Sequence, residues 1–354
     1  MNAIELLQRL IATPSLSGNE EGTADILAAE LTERGVEVRR HHNNIWALSR
    51  GYDQNKPTLM LNSHQDTVKP SAAYTRNPFE PTIEDGKLYG LGSNDAGASL
   101  VTLLTTFCNN YDTSALPYNL LLALTAEEEN MGERGMRSFL PHLAEQGIKV
   151  DMVLVGEPTS MKAATAERGL VVLDCTVHGK SGHAARNEGE NAIYKAMCDI
   201  ERLRNFRFER TSEQLGEIKI SVTQITAGTQ HNIVPDECRF VADVRTTDAY
   251  SNEEVVAILQ EALECDAVPR STRVRASAIA LSHPLVIAAK AIGCEAFVSP
   301  TTSDRAIMQG LAALKMGVGD SSRSHTADEY VLVSEIEEGI TIYQKLLDEL
   351  KQTI

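Results

Sequence analysis

The sequence predicts an α/β protein in which a domain built on a largely parallel sheet is interrupted by a smaller α+β unit. Three observations predict it. Apolar runs of strand length alternate with helical periodicity through the first part of the chain. Near Ala166 the texture changes to a strand, helix, two strands, helix, strand order that resembles a ferredoxin-like unit. After about Ile279 the first texture returns. The expected division is residues 1–166 and 280–354 for one discontinuous domain and 167–279 for the insertion.

Asn2–Ile11 carries Ile4, Leu7, Leu10 and Ile11 at helical spacing and stops before Thr13-Pro14-Ser15, where proline breaks the pattern. A second predicted helix covers Gly22–Arg34 with Gly35 as its cap. Val36–Arg40 and Ile45–Leu48 read as short strands and Thr58–Ser63 as a buried one, followed by a long loop with Asn77-Pro78-Phe79 and Glu84-Asp85-Gly86. Ala98–Cys108 and Gly132–His142 read as helices flanking a second apolar run, Asn119–Thr125. Met152–Gly156 is a third such run. In the insertion, Leu170–Val177, Lys219–Ile225 and Glu237–Val244 are expected strands, and Glu190–Leu203 and Asn252–Ala262 expected helices. A helix near Pro284–Ile292, a fourth apolar run at Ala312–Gly319 and a helix over Ser334–Leu350 complete the pattern.

The 354 residues leave room for two domains, and 42% hydrophobic content is enough for cores. No apolar run approaches the roughly 20 residues of a membrane span, and Met1-Asn2-Ala3-Ile4-Glu5 lacks the basic-then-apolar order of a secretory signal. The six cysteines (Cys108, Cys175, Cys198, Cys238, Cys265, Cys294) include no close pair, so they form no zinc ribbon and read as reduced thiols of a cytoplasmic protein. A net charge of −16 argues against nucleic acid and anionic membrane as partners, both of which select basic patches.

Where the apolar runs end, chemistry begins. Thr58–Asp66 ends in His64-Gln65-Asp66, at the sheet edge where open α/β sheets place ligands. A histidine there can bind a metal through one ring nitrogen while a carboxylate holds the other. The second run discharges into Ala126-Glu127-Glu128-Glu129, the third into Glu157-Pro158-Thr159, and the fourth is followed by Ser324-His325-Thr326. Between the first two, Gly90-Leu91-Gly92-Ser93-Asn94-Asp95-Ala96-Gly97 carries a carboxylate in a glycine-rich turn. This mixture of nitrogen and oxygen donors suits zinc, or cobalt or manganese in the same place, better than calcium. The donors exceed what one tetrahedral ion requires and fit a two-metal hydrolytic centre. Because its donors precede and follow the insertion, both flanks must belong to one domain.

These motifs, in this order, resemble the di-zinc aminoacylase and carboxypeptidase family that includes acetylornithine deacetylase, succinyl-diaminopimelate desuccinylase and bacterial glutamate carboxypeptidase. The likeness spans nearly the whole chain, and Gly156-Glu157-Pro158-Thr159 looks most like the deacetylase branch. The resemblance implies a catalytic domain with a mostly parallel mixed sheet flanked by helices and an inserted dimerisation, or lid, domain. It implies two Zn2+ ions per subunit, with Co2+ or Mn2+ able to substitute: His64 and Glu157 on one ion, Glu129 and His325 on the other, Asp95 bridging. Glu128 becomes the general base and Asp66 the partner of His64. With three glutamates in a row, a register one residue earlier, Glu127 as base and Glu128 as ligand, stays open.

In the insertion, Val177-His178-Gly179-Lys180-Ser181-Gly182-His183-Ala184 looks like the family's turn whose second histidine reaches across a homodimer interface. That implies His183 as a donor to an oxyanion in the neighbouring subunit; read without the family, it closes a glycine-rich hairpin. Asn232 and Arg245 match positions that hold the substrate carboxylate, a task suited to the planar fork of arginine. Ser303, in Thr302-Ser303-Asp304-Arg305, is a candidate for the side-chain pocket or part of a simple turn. Family members usually carry an Arg two residues into the glycine loop and a Lys just after the bridging Asp; Leu91 and Ala96-Gly97 stand here instead. The implied reaction removes an acetyl or succinyl group from a small-molecule N-acyl amino acid, with N-acylornithine or N-acylcitrulline of arginine biosynthesis expected. A broader aminoacylase, a lysine-pathway or diaminopimelate deacylase, a dipeptidase and a metal-binding protein without catalysis are the alternatives.

Overall fold

The computed structural model describes residues 2–112, 116–186 and 188–354. It divides into two compact units, one comprising Met1–Thr165, Ile279–Phe297 and Ser303–Ile354, the other Ala166–Ala278 and Val298–Thr302.

The first unit is a mixed sheet between helices. Its strands lie in the order Arg39–His41, Asn44–Leu48, Asn119–Thr125, Thr58–His64, Met152–Val155 and Ala312–Lys315, and Lys315 pairs antiparallel with Ala164 of the next strand. The last four of those six run parallel to one another, and the first three are joined antiparallel. Every residue of Thr58–His64, Asn119–Thr125 and Met152–Val155 is buried, which is why these strands read as continuous apolar runs. The two faces nonetheless alternate. Leu59, Leu61, Leu120, Leu122 and Leu124 join one core with helices Ala3–Ile11, Glu21–Glu33, Ala98–Asn109, Pro284–Ala291 and Val333–Thr353. Met60, Leu121, Ala123 and Val153 join a second core with helix Met136–Glu145, around Trp46 and Phe139. Each wholly buried leucine contributes roughly 1.5–3 kcal/mol. The N-terminal helix is set by a capping box between Asn2 and Glu5.

One expected helix is displaced. Met136–Glu145 replaces Gly132–His142 because the chain before it is tied to Glu127, whose carbonyl accepts from Gly132 N–H and whose carboxylate accepts from Arg134 N–H. A Cβ on Gly132 would collide with the Glu127 carboxylate, so glycine is required there.

The second unit is an antiparallel sheet in the order Lys219–Ala227, Glu237–Thr246, Gly169–His178, Asp266–Pro269, with helices Ala192–Asn205 and Asn252–Ala262. This is the ferredoxin-like arrangement. Val171, Leu173, Cys175, Phe240, Ala242 and Val244 point to the helices, while Asp174, Arg239 and Arg245 alternate onto the other face. Asn191 caps the first helix, and Ser251 with Glu254 forms a capping box on the second. Among the described residues no helix is long and apolar enough to cross a membrane.

Candidate active site

The parallel strands deliver their C-terminal ends to one edge of the first unit's sheet, and the loops leaving them carry the polar cluster. His64 is the last residue of its strand and is buried. Its Nδ1 lies 2.9 Å from the Asp66 carbonyl oxygen. With Nδ1 engaged there, Nε2 faces Asp95 Oδ1 at 3.3 Å, within hydrogen-bond reach, and Glu157 Oε1 at 3.7 Å. Opposite, His325 Nε2 stands 3.0 and 3.1 Å from the two Glu129 carboxylate oxygens and 3.6 Å from Asp95 Oδ2. Asp95 therefore offers one oxygen to each histidine. The donor atoms of His64, Asp95 and Glu157 all lie within 4.8 Å of one another, as do those of Asp95, Glu129 and His325. Two sets of nitrogen and oxygen donors sharing one carboxylate are chemistry that fits a pair of divalent cations.

Glu128 belongs to neither set but interacts with His64, Glu157 and Glu129. Its place is fixed from behind by Asp66, whose carboxylate accepts the N–H groups of Glu128 at 3.0 Å and Glu129 at 3.2 Å and the Ser17 hydroxyl at 2.7 Å. Asp66 thus holds the whole acidic turn, besides lying 3.5 Å from His64 Nδ1. Glu127 turns away in the left-handed region (φ 56°), its carboxylate accepting from Arg134 Nε at 3.1 Å.

Crowding acids into a buried site distorts their ionisation. Burial drives Glu157 up to about 8, with Asp95 adding to the effect and His64 opposing it. Glu128 is pushed well above the carboxylate range, chiefly by burial and then by Glu157, Asp304 and Glu129 against the pull of His64. Burial alone would lower His64, but hydrogen bonds to Asp66 and Asp95 raise it well above the ordinary imidazole value. The contact with Glu129 raises His325 to about 9. Asp95 stays low despite its burial because His64 bonds to it.

Of the remaining predicted residues, His183, Asn232 and Arg245 belong to the second unit and Ser303 to the first. His183 is exposed in a two-residue ribbon paired with Ile233-Val234, its Nδ1 accepting from Ala185 N–H, and Asn232 is exposed beside it, its carbonyl accepting from Ala184 N–H. Arg245 is exposed on the second unit's sheet and grips Asp243 through two bonds of 2.8 and 3.0 Å. Ser303 does not line an open pocket: it is wholly buried, and its side chain caps the short turn Asp304–Ala306. Ser caps such turns because its oxygen reaches the N–H two residues on.

Sequence reasoning missed two buried acids. Asp304 accepts from the Thr125 hydroxyl at 2.9 Å and is raised to about 6, mainly by burial. Glu329, 2% exposed, accepts backbone N–H groups of the Asp95 loop. Its one signal is proximity to His325 in sequence.

Fold and site together define a metal-dependent hydrolase acting on amide bonds. Residues 60–349 match Peptidase family M20/M25/M40, and the chain belongs to that family. It is 29% identical to a succinyl-diaminopimelate desuccinylase from a Caulobacter species (98% of this chain, 95% of the relative). It is 27% identical to one from Delftia acidovorans (99% and 98%). Among solved structures it resembles aminopeptidase PepT from Bacillus cereus (TM-score 0.77, 19% identity, 99% of this chain and 98% of that one). A dinuclear metal-binding peptidase of the same family from Bacillus subtilis gives a TM-score of 0.73 at 16% identity, over 99% and 98%.

Proposed function

We propose that the protein is a deacylase of N-acyl amino acids, with His64, Asp95 and Glu157 holding one divalent cation and Asp95, Glu129 and His325 the other. The observation that carries this reading is the pair of donor sets joined at Asp95, with Glu128 left unclaimed beside both. Zinc suits the donors, and cobalt or manganese can take the same places. Bound cations supply Lewis acidity, lowering the pKa of water and polarising the acyl carbonyl. Glu128 takes the proton of the attacking water onto its carboxylate and returns it to the amide nitrogen as the amine departs. Asp66 keeps Glu128 in place through the backbone of the turn. By resemblance, His183 donates to the oxyanion in a neighbouring subunit, and Asn232 and Arg245 hold the substrate carboxylate. Arg245 does so only by sharing or surrendering its bonds to Asp243.

N-acylornithine or N-acylcitrulline, in arginine biosynthesis, is the favoured substrate. The desuccinylase names of the relatives favour a second reading, N-succinyl-diaminopimelate. A screen of zinc-loaded protein against acetyl- and succinyl-ornithine, -citrulline, -lysine and -diaminopimelate, reading released amine, is expected to show turnover concentrated on one acyl group and one side chain. No turnover on any of the eight would defeat the deacylase reading.

The proposed homodimer forms through the second unit, whose helix Ala192–Asn205 exposes Tyr194 (68%) and Met197 (59%) and whose edge strand Lys219–Ala227 exposes Ile225 (54%). An open strand edge with exposed apolar side chains invites pairing. Sedimentation is expected to show a dimer that Tyr194→Glu with Met197→Glu converts to monomer; a wild-type monomer with full activity would rule the dimer out, and with it a role for His183 in trans. The six free cysteines suit a reducing compartment such as the cytoplasm.

A further inference from the structure

We propose that Glu329 is a positioning residue for the metal pair, fixing the loop that presents Asp95 and tying it to the segment that presents His325. The proposal rests on the reading of Asp95 as the shared ligand. Glu329 Oε2 accepts the N–H of Gly92 at 3.1 Å, and Oε1 accepts those of Asn94 at 2.8 Å and Asp95 at 2.9 Å. Its carbonyl oxygen accepts a fourth N–H, from Gly90, at 3.0 Å. One residue therefore takes four of the backbone donors of the Gly90–Gly97 loop, while Leu91, Ser93 and Gly97 donate to the carbonyls of Pro78, Gly90 and Gly92. Buried N–H groups left without acceptors are costly, so the loop keeps this shape only while the carboxylate stays in place.

The same anchor reaches the other ligand. Glu329 stands four residues after His325, and the intervening chain is held independently by Asp328, whose carboxylate accepts the N–H groups of Thr75 and Arg76, each at 2.9 Å. On the far side, the Asn94 side chain accepts from Asp320 N–H and donates to Asp320 O, both at 3.0 Å. The Asp95 loop and the His325 segment are thus clasped at both ends, and Asp95 Oδ2 meets His325 Nε2 at 3.6 Å between the clasps. A shared ligand must satisfy two ions at once, so a small displacement of its loop weakens both. Partners that orient metal ligands typically carry a 10- to 100-fold share of metal affinity.

Two conservative variants separate positioning from charge. Glu329→Asp keeps a carboxylate but draws it back by one methylene; Glu329→Gln keeps a carbonyl oxygen able to accept from both Asn94 and Asp95 and loses only the bond from Gly92, where its NH2 group cannot accept. Zinc affinity by chelator competition, zinc stoichiometry, the melting of the metal-free proteins and the kcat against KM split are measured for each. Positioning is expected to lower zinc affinity of Glu329→Asp by roughly 10- to 100-fold and that of Glu329→Gln less. Metal-free melting stays near wild type, and kcat at limiting zinc falls while KM holds. Excess zinc is expected to restore kcat. If Glu329→Asp binds zinc as wild type does, or if Glu329→Gln is the more impaired, the proposal is overturned. If metal-free melting collapses in both variants with zinc affinity unchanged, Glu329 is only a structural residue. Should the wild type itself bind no zinc, the metal-centre reading fails instead, and the two failures are distinguishable.

Discussion

Glu128→Gln is expected to lower kcat by roughly 10²- to 10⁴-fold, the range of a lost general base, while both metal ions remain bound. The two halves of that outcome follow from separate features of the site. Glu128 is absent from both donor triads, so its charge is not needed to hold an ion. Its carboxyl is nevertheless pushed well above the carboxylate range by burial and neighbouring carboxylates, the direction that proton transfer to and from a reacting group requires. The neighbouring glutamates provide the controls. Glu129 faces His325 at 3.0 Å, so Glu129→Gln is expected to lose metal along with activity. Glu127 is engaged with Arg134, so Glu127→Gln is expected to leave chemistry nearly intact. Steady-state kinetics with metal analysis on the three proteins reads the roles directly. If Glu127→Gln were the silent enzyme with full metal, the base would sit one residue earlier. If Glu128→Gln turned over at the wild-type rate, the protein would be a binding module in a hydrolase fold.

The parallel strands and their ends were legible because burial on both faces writes itself as uninterrupted apolar residues. Thr58–His64 and Asn119–Thr125 are buried at every position. The residues that follow such runs were then conspicuous as the first polar atoms at the sheet edge, among them His64, Glu128, Glu129 and Glu157. What the pattern does not encode is which side chain supports which. Asp66 was read as a companion of His64, yet its carboxylate also holds the backbone of Glu128 and Glu129, a contact across 62 residues of sequence. Glu329 clasps a loop more than 230 residues earlier through backbone N–H groups that carry no residue identity. Ser303 was open to two readings, a pocket residue or part of a turn; in the fold it is interior and caps the turn Asp304–Ala306, and the Asp304 beside it is buried against Thr125. The helix displaced to Met136–Glu145 has the same origin, since its expected first turn is consumed by bonds to Glu127.

Stripping the metal is expected to reverse the pH dependence of stability. In the metal-free protein Glu157 is raised from 4.5 to about 8 and His325 from 6.5 to about 9. Across those intervals the folded chain holds protons that the unfolded chain has released, so stability falls as pH rises from about 5 to about 9. Asp95 and Asp66 are shifted downward and titrate below that window. Metal binding asks the opposite of the same groups: the carboxylates must be ionised and the imidazoles neutral, so loading releases protons and strengthens with pH. A ligand present at about 100 times its dissociation constant adds about 2.7 kcal/mol to the folded state, and here that gain grows toward alkaline pH while the metal-free protein weakens. Calorimetric melting in chelator and in zinc, at the two ends of the window, should therefore give curves that diverge as pH rises. A zinc-dependent shift of the same size at both ends would mean that the ions are held by groups other than these, because no site assembled from His64, Asp95, Glu157, Glu129 and His325 can bind cations without first shedding those protons.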